Sequence, residues 1–170
     1  GLSCASDEPA LWEAVAGHLD YVEITPEHLC RERIDGARRH MRYVPDALAR
    51  TLARHADLPI VVHGVELSIG SASGWNSEFL DILDELWATR PFAWHSEHLG
   101  LTMVDGSFLG TMPALPLTPE AAELVIGRAQ AMRAAYGLDF LLEHVASPLP
   151  RPDQMSLAAF LNLVAAESGA

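Results

Sequence analysis

Short apolar runs alternate with longer amphipathic segments along the chain, and this alternation is the main signal for its fold. The short runs predict strands, and the longer segments, with apolar side chains three and four positions apart, predict helices. The predicted strands cover residues 21–24, 59–63, 92–98 and 140–143, with a short one at 2–4. The predicted helices cover residues 8–17, 45–55, 77–89, 119–136 and 156–167. This order is typical of a parallel sheet covered by helices, so the sequence predicts an α/β fold.

Local signals mark some of the boundaries. Thr118 suits the N-cap of a helix, Pro119 its first position and Gly137 its end. The pair Asp105-Gly106 predicts the tip of a small hairpin. The basic segment 31–39 is interrupted by acidic residues, and we interpret it as a solvated loop.

Three polar residues, His63, His98 and Glu143, end apolar runs. The gaps between them are 35 and 45 residues, and each gap contains one helical pattern. Consecutive β/α units of a barrel have this spacing, and the functional side chains of barrels lie at the C-terminal ends of the strands. Two imidazoles and a carboxylate at that edge predict a transition-metal site. Polar residues at strand ends also simply cap sheets, and a lone histidine such as His63 also occurs as a buried, hydrogen-bonded core residue.

The sequence Ser96-Glu97-His98 is informative because side chains alternate along a strand. Ser96 and His98 should point to one side, and His95 and Glu97 to the other. We therefore predict His98 as a metal ligand and Glu97 as a catalytic residue, placed behind the ligands or facing the substrate. Glu23 and Glu27 could belong to the site, or could lie at a solvated rim or in ion pairs. Nitrogen and oxygen ligands without cysteine favour iron, manganese or zinc.

Composition narrows the class of protein. A chain of 170 residues with 49% apolar content can bury a core as one domain, residues 1–170, but a complete eight-stranded barrel needs about 250 residues. The net charge of −12 disfavours nucleic acids and anionic membranes as partners, and no apolar run approaches the roughly 20 residues that span a bilayer. Cys4 and Cys30 form no metal-binding pair, which fits a reducing cytoplasm. The chain contains no lysine, so Schiff-base catalysis within it is excluded.

Several motifs together resemble the DUF692 family of multinuclear iron enzymes, which includes the methanobactin-type biosynthetic oxidases. The motifs lie in the family's order at residues 23–27, 63–71, 96–99, 115–118 and 141–143. The resemblance implies a xylose-isomerase-like (β/α)8 TIM barrel with two or three iron ions at its C-terminal face. It also implies O2-dependent oxidation of cysteine residues in ribosomally made precursor peptides, often with a partner protein that presents the peptide. By motif match, His63, His98 and Glu143 would be iron ligands, and Glu97 a neighbouring residue of the site.

This chain departs from the family in two respects. It has Glu143-His144-Val145 where the family usually has Glu-Asn-Pro, and it lacks the ligands that the family places on later strands. We therefore expect the N-terminal part of a barrel, with about five β/α units. Its open edge strand would need a cover, for example a second copy of the chain.

Two other classes of function stay open from the residues. One is another metal-dependent barrel of the xylose-isomerase type, acting on sugars or on abasic DNA. The other is a non-catalytic truncated barrel that binds a peptide or a partner protein. Metal content would separate the second class from the enzymes.

Overall fold

The computed structural model describes residues 2–3, 9–36, 38–146 and 153–170. The strands are β1 (Leu2–Ser3), β2 (Val22–Ile24), β3 (Cys30–Asp35), β4 (Arg38–Tyr43), β5 (Ile60–Gly64), β6 (His95–Leu99), β7 (Met103–Val104), β8 (Ser107–Phe108) and β9 (Phe140–His144). The α-helices are α1 (Pro9–Val15), α2 (Ala47–Arg54), α3 (Ser77–Thr89), α4 (Pro119–Tyr136) and α5 (Leu157–Ser168). Short 3-10 turns lie at Ala16–His18 and Pro26–Leu29.

The central element is a parallel sheet of five strands in the order β1-β2-β5-β6-β9. Helices lie in the connections between these strands, so the prediction of an α/β fold with a parallel sheet is confirmed. The sheet is consistent with part of a β/α barrel, while closure into a (β/α)8 barrel stays a prediction. Within the described residues, no helix combines the length and the apolar content that crossing a membrane requires.

The bounds of the long helices α3 and α4 agree with those predicted from the sequence. Helix α4 has the predicted bounds: the Thr118 hydroxyl accepts a hydrogen bond from Ala121 N, and Gly137 ends the helix with a φ of 66°. Helix α3 also has the predicted bounds, and its first turn is capped by the side chain of Asn76. The predicted strand at 2–4 and helix at 8–17 correspond to β1 and α1, although Cys4 and Glu8 fall outside the described residues.

The core lies between the sheet and the helices. Helix α3 contributes its buried apolar face to this core, and each such side chain contributes about 1.5–3 kcal/mol to stability. Phe140 of β9 and Phe160 of α5 are also fully buried there. The apolar face of α3 consists of Phe79, Ile82, Leu83 and Leu86. One face of the sheet is therefore packed against the helices, and on the other face Leu141 is 44% exposed.

The interpretation of segment 31–39 as a loop is wrong, although Arg31, Glu32, Arg33 and Asp35 are exposed to solvent as expected. Strands β3 and β4 pair there as an antiparallel hairpin, which we call the arginine hairpin (Cys30–Tyr43). Met41 is completely buried, and the Tyr43 hydroxyl donates a hydrogen bond to Ile82 O at 2.9 Å. The second predicted hairpin is confirmed: β7 and β8 pair, and Asp105 and Gly106 form the tip with positive φ angles.

Candidate metal centre

His63 lies near the C-terminal end of β5, opposite Ser96 of β6 in the register of the sheet. Its Nδ1 atom lies 2.9 Å from the Ser96 Oγ, and that hydroxyl donates to Val62 O at 3.2 Å. Because the single hydroxyl proton is used in the second bond, Ser96 accepts the first from Nδ1–H. The tautomer assigned in this way leaves the Nε2 lone pair of His63 available to a metal.

His98 is held in the same tautomer by the backbone. Its Nδ1 atom lies 3.3 Å from the carbonyl oxygen of Gly64, which can only accept a hydrogen bond. The lone pair of His98 is therefore on Nε2, as it is in His63. The two imidazole rings lie with their centroids 4.8 Å apart. Two neighbouring strands therefore present two imidazoles with the same nitrogen available.

Glu143 completes the group from β9, where it is the register partner of His98. One carboxylate oxygen lies 3.5 Å from His63 Nε2 and the other 3.8 Å from His98 Nε2. Among the described residues, these three are the one group of histidine, cysteine and acidic side chains whose ligand atoms all lie within 4.8 Å of one another. We call them the ligand cluster. The structure thus brings together the three residues predicted as ligands, and metal binding by them stays a prediction.

The electrostatics of His63 favour its neutral form. Burial lowers the pKa of this imidazole, and the neighbouring His98 lowers it further, whereas the carboxylates of Glu143 and Glu23 oppose the shift. A histidine binds metal through a lone pair and must be neutral to do so. Two imidazole nitrogens and a carboxylate oxygen are a donor set that suits iron, manganese or zinc.

Glu97 lies on the other face of β6, as the alternation of side chains predicts. Its side chain is 1% exposed, and one carboxyl oxygen lies 3.2 Å from His95 Nε2. Burial raises the pKa of Glu97, against the opposing effect of the backbone N–H groups of Leu67 and His98. The carboxyl group also fills the space beside Gly64, where an added Cβ would lie 1.8 Å from it. The structure therefore places Glu97 behind the ligand cluster, inside the covered face, and its catalytic role stays a prediction.

In the part of the chain that the structure describes, Glu27 is neither at a solvated rim nor in an ion pair. It is 8% exposed, and its Oε1 atom accepts hydrogen bonds from the N–H groups of Val65 at 2.6 Å and Glu66 at 2.9 Å. Burial raises its pKa to about 8, and the nearby Glu97 carboxyl adds to this shift. Glu27 thus fixes the loop that directly follows His63-Gly64.

From the sequence, no role was predicted for Ser96. The available signal was that Ser96 lies two positions before His98 on a strand, so that both side chains point to the same face. The hydroxyl becomes a partner of His63 only through the register between β5 and β6, which lie 33 positions apart at these residues. Sequence reasoning also missed that Glu27 supports the loop after β5, a contact across 38 positions. Both contacts depend on which strands and turns are neighbours in space.

The sequence matches a known protein family and several relatives. Residues 4–170 match the model of a family described as RiPP precursor modification enzyme MbnB/TglH/ChrH. Three curated relatives are proteins named UPF0276. One from Rhizorhabdus wittichii is 28% identical over 151 residues, which are 89% of this chain and 50% of the relative. One from Pasteurella multocida is 28% identical over 151 residues, 88% of this chain and 45% of the relative. One from an Anaeromyxobacter species is 36% identical over 91 residues, 54% of this chain and 32% of the relative.

The chain thus spans about half the length of the relatives that it matches over most of its own length. The match to the family model covers nearly the whole chain and includes all three members of the ligand cluster. It confirms the resemblance found from the motifs.

Proposed function

The chain belongs to the family of RiPP precursor modification enzymes MbnB/TglH/ChrH, and from this we propose that it uses iron and O2 to oxidise a cysteine residue of a ribosomally made precursor peptide. The observation that carries the proposal is the ligand cluster, formed by three residues that the family motifs independently single out. The family match favours a peptide substrate over the sugar or abasic DNA of related metal-dependent barrels.

In the proposed site, His63 and His98 would hold iron through Nε2, and Glu143 would hold it through its carboxylate. Ser96 and the carbonyl oxygen of Gly64 hold the two imidazoles by their Nδ1–H groups, and the Nε2 atoms of the two rings lie 3.5 and 3.8 Å from the Glu143 carboxylate. Such outer hydrogen bonds fix the tautomer and the ring orientation of metal-bound histidines. Iron bound here would supply thiolate binding and O2 activation at open coordination positions.

Access to the cluster is from the uncovered face of the sheet. The side chain of Glu143 is 56% exposed, whereas those of His63 and His98 are about one-fifth exposed. A peptide approaching this face would meet the carboxylate first, with the imidazoles behind it. Three protein ligands leave positions open for a substrate thiolate and for O2. The proposal also includes further metal ligands from the rest of a longer protein. It includes a partner protein that presents the peptide, and a second copy of the chain that covers the open edge strand.

Metal content tests the first part of this proposal. The chain is purified without oxygen and supplied with Fe²⁺, and bound iron is measured beside His98→Ala and His144→Ala variants. His144 lies on the same strand as Glu143 but outside the ligand cluster, so its removal is a matched control. We expect iron in the parent chain and in His144→Ala, and its loss in His98→Ala. Absence of iron from the folded parent chain, or its retention in His98→Ala, would contradict the proposal and favour a binding module.

Thiolate binding tests the second part. With Co²⁺ in the site, a bound thiolate produces a charge-transfer absorption band that a hydroxyl group does not. The acetylated, amidated tripeptide Gly-Cys-Gly should produce this band, and Gly-Ser-Gly should not. A Co²⁺-loaded chain without a band at saturating Gly-Cys-Gly would overturn cysteine as the substrate residue, while leaving the metal site in place.

A further inference from the structure

The arginine hairpin is a concentrated cationic feature in an acidic chain. The chain has eleven cationic side chains and a net charge of −12. Five of the eleven are arginines between residues 31 and 42, where Glu32 and Asp35 are the only acidic residues. A charge distribution this uneven indicates a surface that is selected for an anionic partner rather than for solubility alone.

The register of the hairpin places two arginines opposite one another. Arg31 faces Arg42 across the two strands. Like charges directly opposite one another in an antiparallel pair are destabilising. Arg31 and Arg33 lie two positions apart, so both project from the same face, and both are exposed. The hairpin thus carries a repulsive arrangement that a bound anion would relieve.

Within the described residues, the basic side chains of β4 have closer acidic partners than the arginines of β3. Glu78 lies 2.8 Å from Arg42 and 3.3 Å from His40, both on β4. On β3, Arg33 has only Asp35 at 3.7 Å, with both side chains more than 70% exposed, so this pair is weak. Arg31 forms no salt bridge with any carboxylate in the described part of the chain. Among the side chains of the hairpin that the structure describes, the least compensated positive charges are therefore Arg31 and Arg33 of β3.

The other side of the hairpin fixes it to the body of the protein. The Arg39 side chain, 9% exposed, forms ion pairs with Glu32 and Glu66, and its guanidinium lies 4.1 Å from the centre of the Phe108 ring. Glu66 follows His63 by three positions, in the loop at the C-terminal edge of the sheet. The hairpin is therefore anchored at the same edge as the ligand cluster.

Strand β3 also has an open edge. Within the described residues it pairs with β4 alone, so the backbone N–H and C=O groups on its outer side are available. Peptides bind such edges by adding a strand, with main-chain hydrogen bonds giving affinity and alternate side chains giving specificity. An added strand with acidic side chains at alternate positions would place them beside Arg31 and Arg33.

We propose that β3 of the arginine hairpin docks an acidic segment of the precursor peptide by strand addition, with Arg31 and Arg33 pairing with its carboxylates. This inference rests on the proposed function for the identity of the partner. Docking there would hold the peptide at the edge of the sheet where the ligand cluster lies. The rigid anchor through Arg39 limits the ordering that binding would require.

A binding experiment without metal tests this docking. The probes are fluorescein-labelled ten-residue peptides, one with alternating Glu and Thr, one with Lys in place of Glu, and one with the same five Glu and five Thr in separate blocks. Fluorescence anisotropy should show binding of the alternating Glu-Thr peptide, weaker binding of the block peptide, and none of the Lys-Thr peptide. Binding should also weaken at about 0.3 M salt, where exposed charges are screened.

Variants locate the surface. Arg31→Gln combined with Arg33→Gln should weaken binding of the Glu-Thr peptide by about tenfold or more, because both paired charges are lost. Arg50→Gln, on the exposed side of α2, removes a cation elsewhere and should change affinity less than about twofold. Arg31→Glu with Arg33→Glu should reverse the preference and bind the Lys-Thr peptide. All three positions are exposed, and far-UV circular dichroism checks that each variant is folded.

Three outcomes would overturn the proposal: no binding of the Glu-Thr peptide by the parent chain, unchanged binding by the Arg31→Gln/Arg33→Gln variant, or tighter binding of a labelled fifteen-nucleotide oligo-dT than of the peptide. The last would assign the hairpin to a nucleic acid. Because no metal is present, these results are independent of the iron and cobalt experiments. If the chain binds the acidic peptide but no iron, the docking proposal is supported and the proposed iron chemistry is contradicted. If it binds iron but not the peptide, the iron site is supported and the docking proposal is contradicted.

Discussion

The Nδ1 atom of His63 lies 2.9 Å from the Ser96 hydroxyl, which in turn donates to Val62 O. This relay runs from the backbone of β5, through a side chain of β6, back to an imidazole of β5. It fixes both the orientation of the ring and the position of its proton. The nitrogen that faces Glu143 is consequently the one with the lone pair.

Removing this hydroxyl should weaken metal binding without unfolding the protein. We expect Ser96→Ala to lower the affinity for Fe²⁺ or Zn²⁺ by about 10- to 100-fold, as is typical when a partner of a metal-bound histidine is removed. Ser96→Thr keeps a hydroxyl and should largely restore the affinity. Nitrogen–proton correlation NMR of the metal-free protein should show His63 in the Nδ1–H tautomer in the parent chain and a mixture in Ser96→Ala. Equal affinities of the three proteins would show that the hydrogen bond has no role in the site.

Gly64 should be intolerant of a side chain because of what it faces. A Cβ at this position would lie 1.8 Å from a carboxyl oxygen of Glu97 and 2.7 Å from the ring of Phe79, which is completely buried. We expect Gly64→Ala to lower the free energy of unfolding by about 1–3 kcal/mol, the usual cost of overpacking a core. Urea denaturation measures this change.

Gly127 is the matched control for that substitution. It lies in α4 and has nothing within 4 Å of an added Cβ. Because alanine is the better helix former, Gly127→Ala should raise the free energy of unfolding by up to about 1 kcal/mol. Opposite signs for the two alanine variants would support the packing argument. A stable Gly64→Ala protein would mean that the Glu97 carboxyl can move.

Glu27 should make stability depend on pH in a defined direction. Its folded-state pKa is raised to about 8 from 4.5, chiefly by burial. The folded protein therefore holds this proton more tightly than the unfolded chain does. The resulting stabilisation is complete below about pH 4.5 and is lost as the pH rises towards 8 and beyond.

We therefore expect the difference in unfolding free energy between the parent chain and Glu27→Gln to change between about pH 5 and about pH 8.5 by a few kcal/mol. The glutamine keeps an oxygen for the N–H groups of Val65 and Glu66, but it does not titrate. The parent chain should lose stability relative to the variant as the pH rises. Urea denaturation at several pH values gives this difference, and parallel curves for the two proteins would contradict a raised pKa for Glu27.

The elements that were predictable from sequence are those with local signals. Helices α3 and α4 were predicted with their observed bounds, α3 from its apolar spacing and α4 also from its N-cap, its first proline and its terminal glycine. These signals all lie within the helix or next to its ends. The arginine hairpin was not predicted, because its charges obscure the period of two. Arg39, which is mostly buried in this hairpin, is stabilised by Glu66 from 27 positions away. A charged segment whose counter-ion is distant in sequence looks like a solvated loop.

The same distinction applies to the candidate site. The three members of the ligand cluster each end an apolar run, so their positions could be predicted from the alternation of strand and helix patterns along the chain. Their partners could not, because Ser96 and the Gly64 carbonyl oxygen are defined by the register of neighbouring strands. Parity along β6 did predict that Glu97 and His98 point to opposite faces, which is what separates their roles.

Glu97 is the residue for which a structural role and a catalytic role predict different outcomes. Burial raises the pKa of its carboxyl group and so favours the protonated form, and glutamine has nearly the same shape and charge as that form. If Glu97 supports the strand behind the ligand cluster, Glu97→Gln should unfold within about 1 kcal/mol of the parent chain, since both partners of the hydrogen bonds remain. Glu97→Ala, which leaves a cavity and unpaired N–H groups, should be less stable by about 2–4 kcal/mol.

The Co²⁺-loaded protein then separates the two roles. A structural role predicts that Glu97→Gln binds Co²⁺ and gives the charge-transfer band with Gly-Cys-Gly at the same peptide concentrations as the parent chain, because the variant changes nothing on the face that carries His63, His98 and Glu143. A role in accepting the thiol proton predicts normal stability and normal Co²⁺ binding, but a band that appears only at higher pH, where the thiol ionises without help. We expect the first result, because the carboxyl group lies 1% exposed on the opposite face of β6 and contacts His95 rather than the cluster. A pH shift of the band in Glu97→Gln alone, with His144→Ala unchanged, would instead establish Glu97 as a catalytic residue.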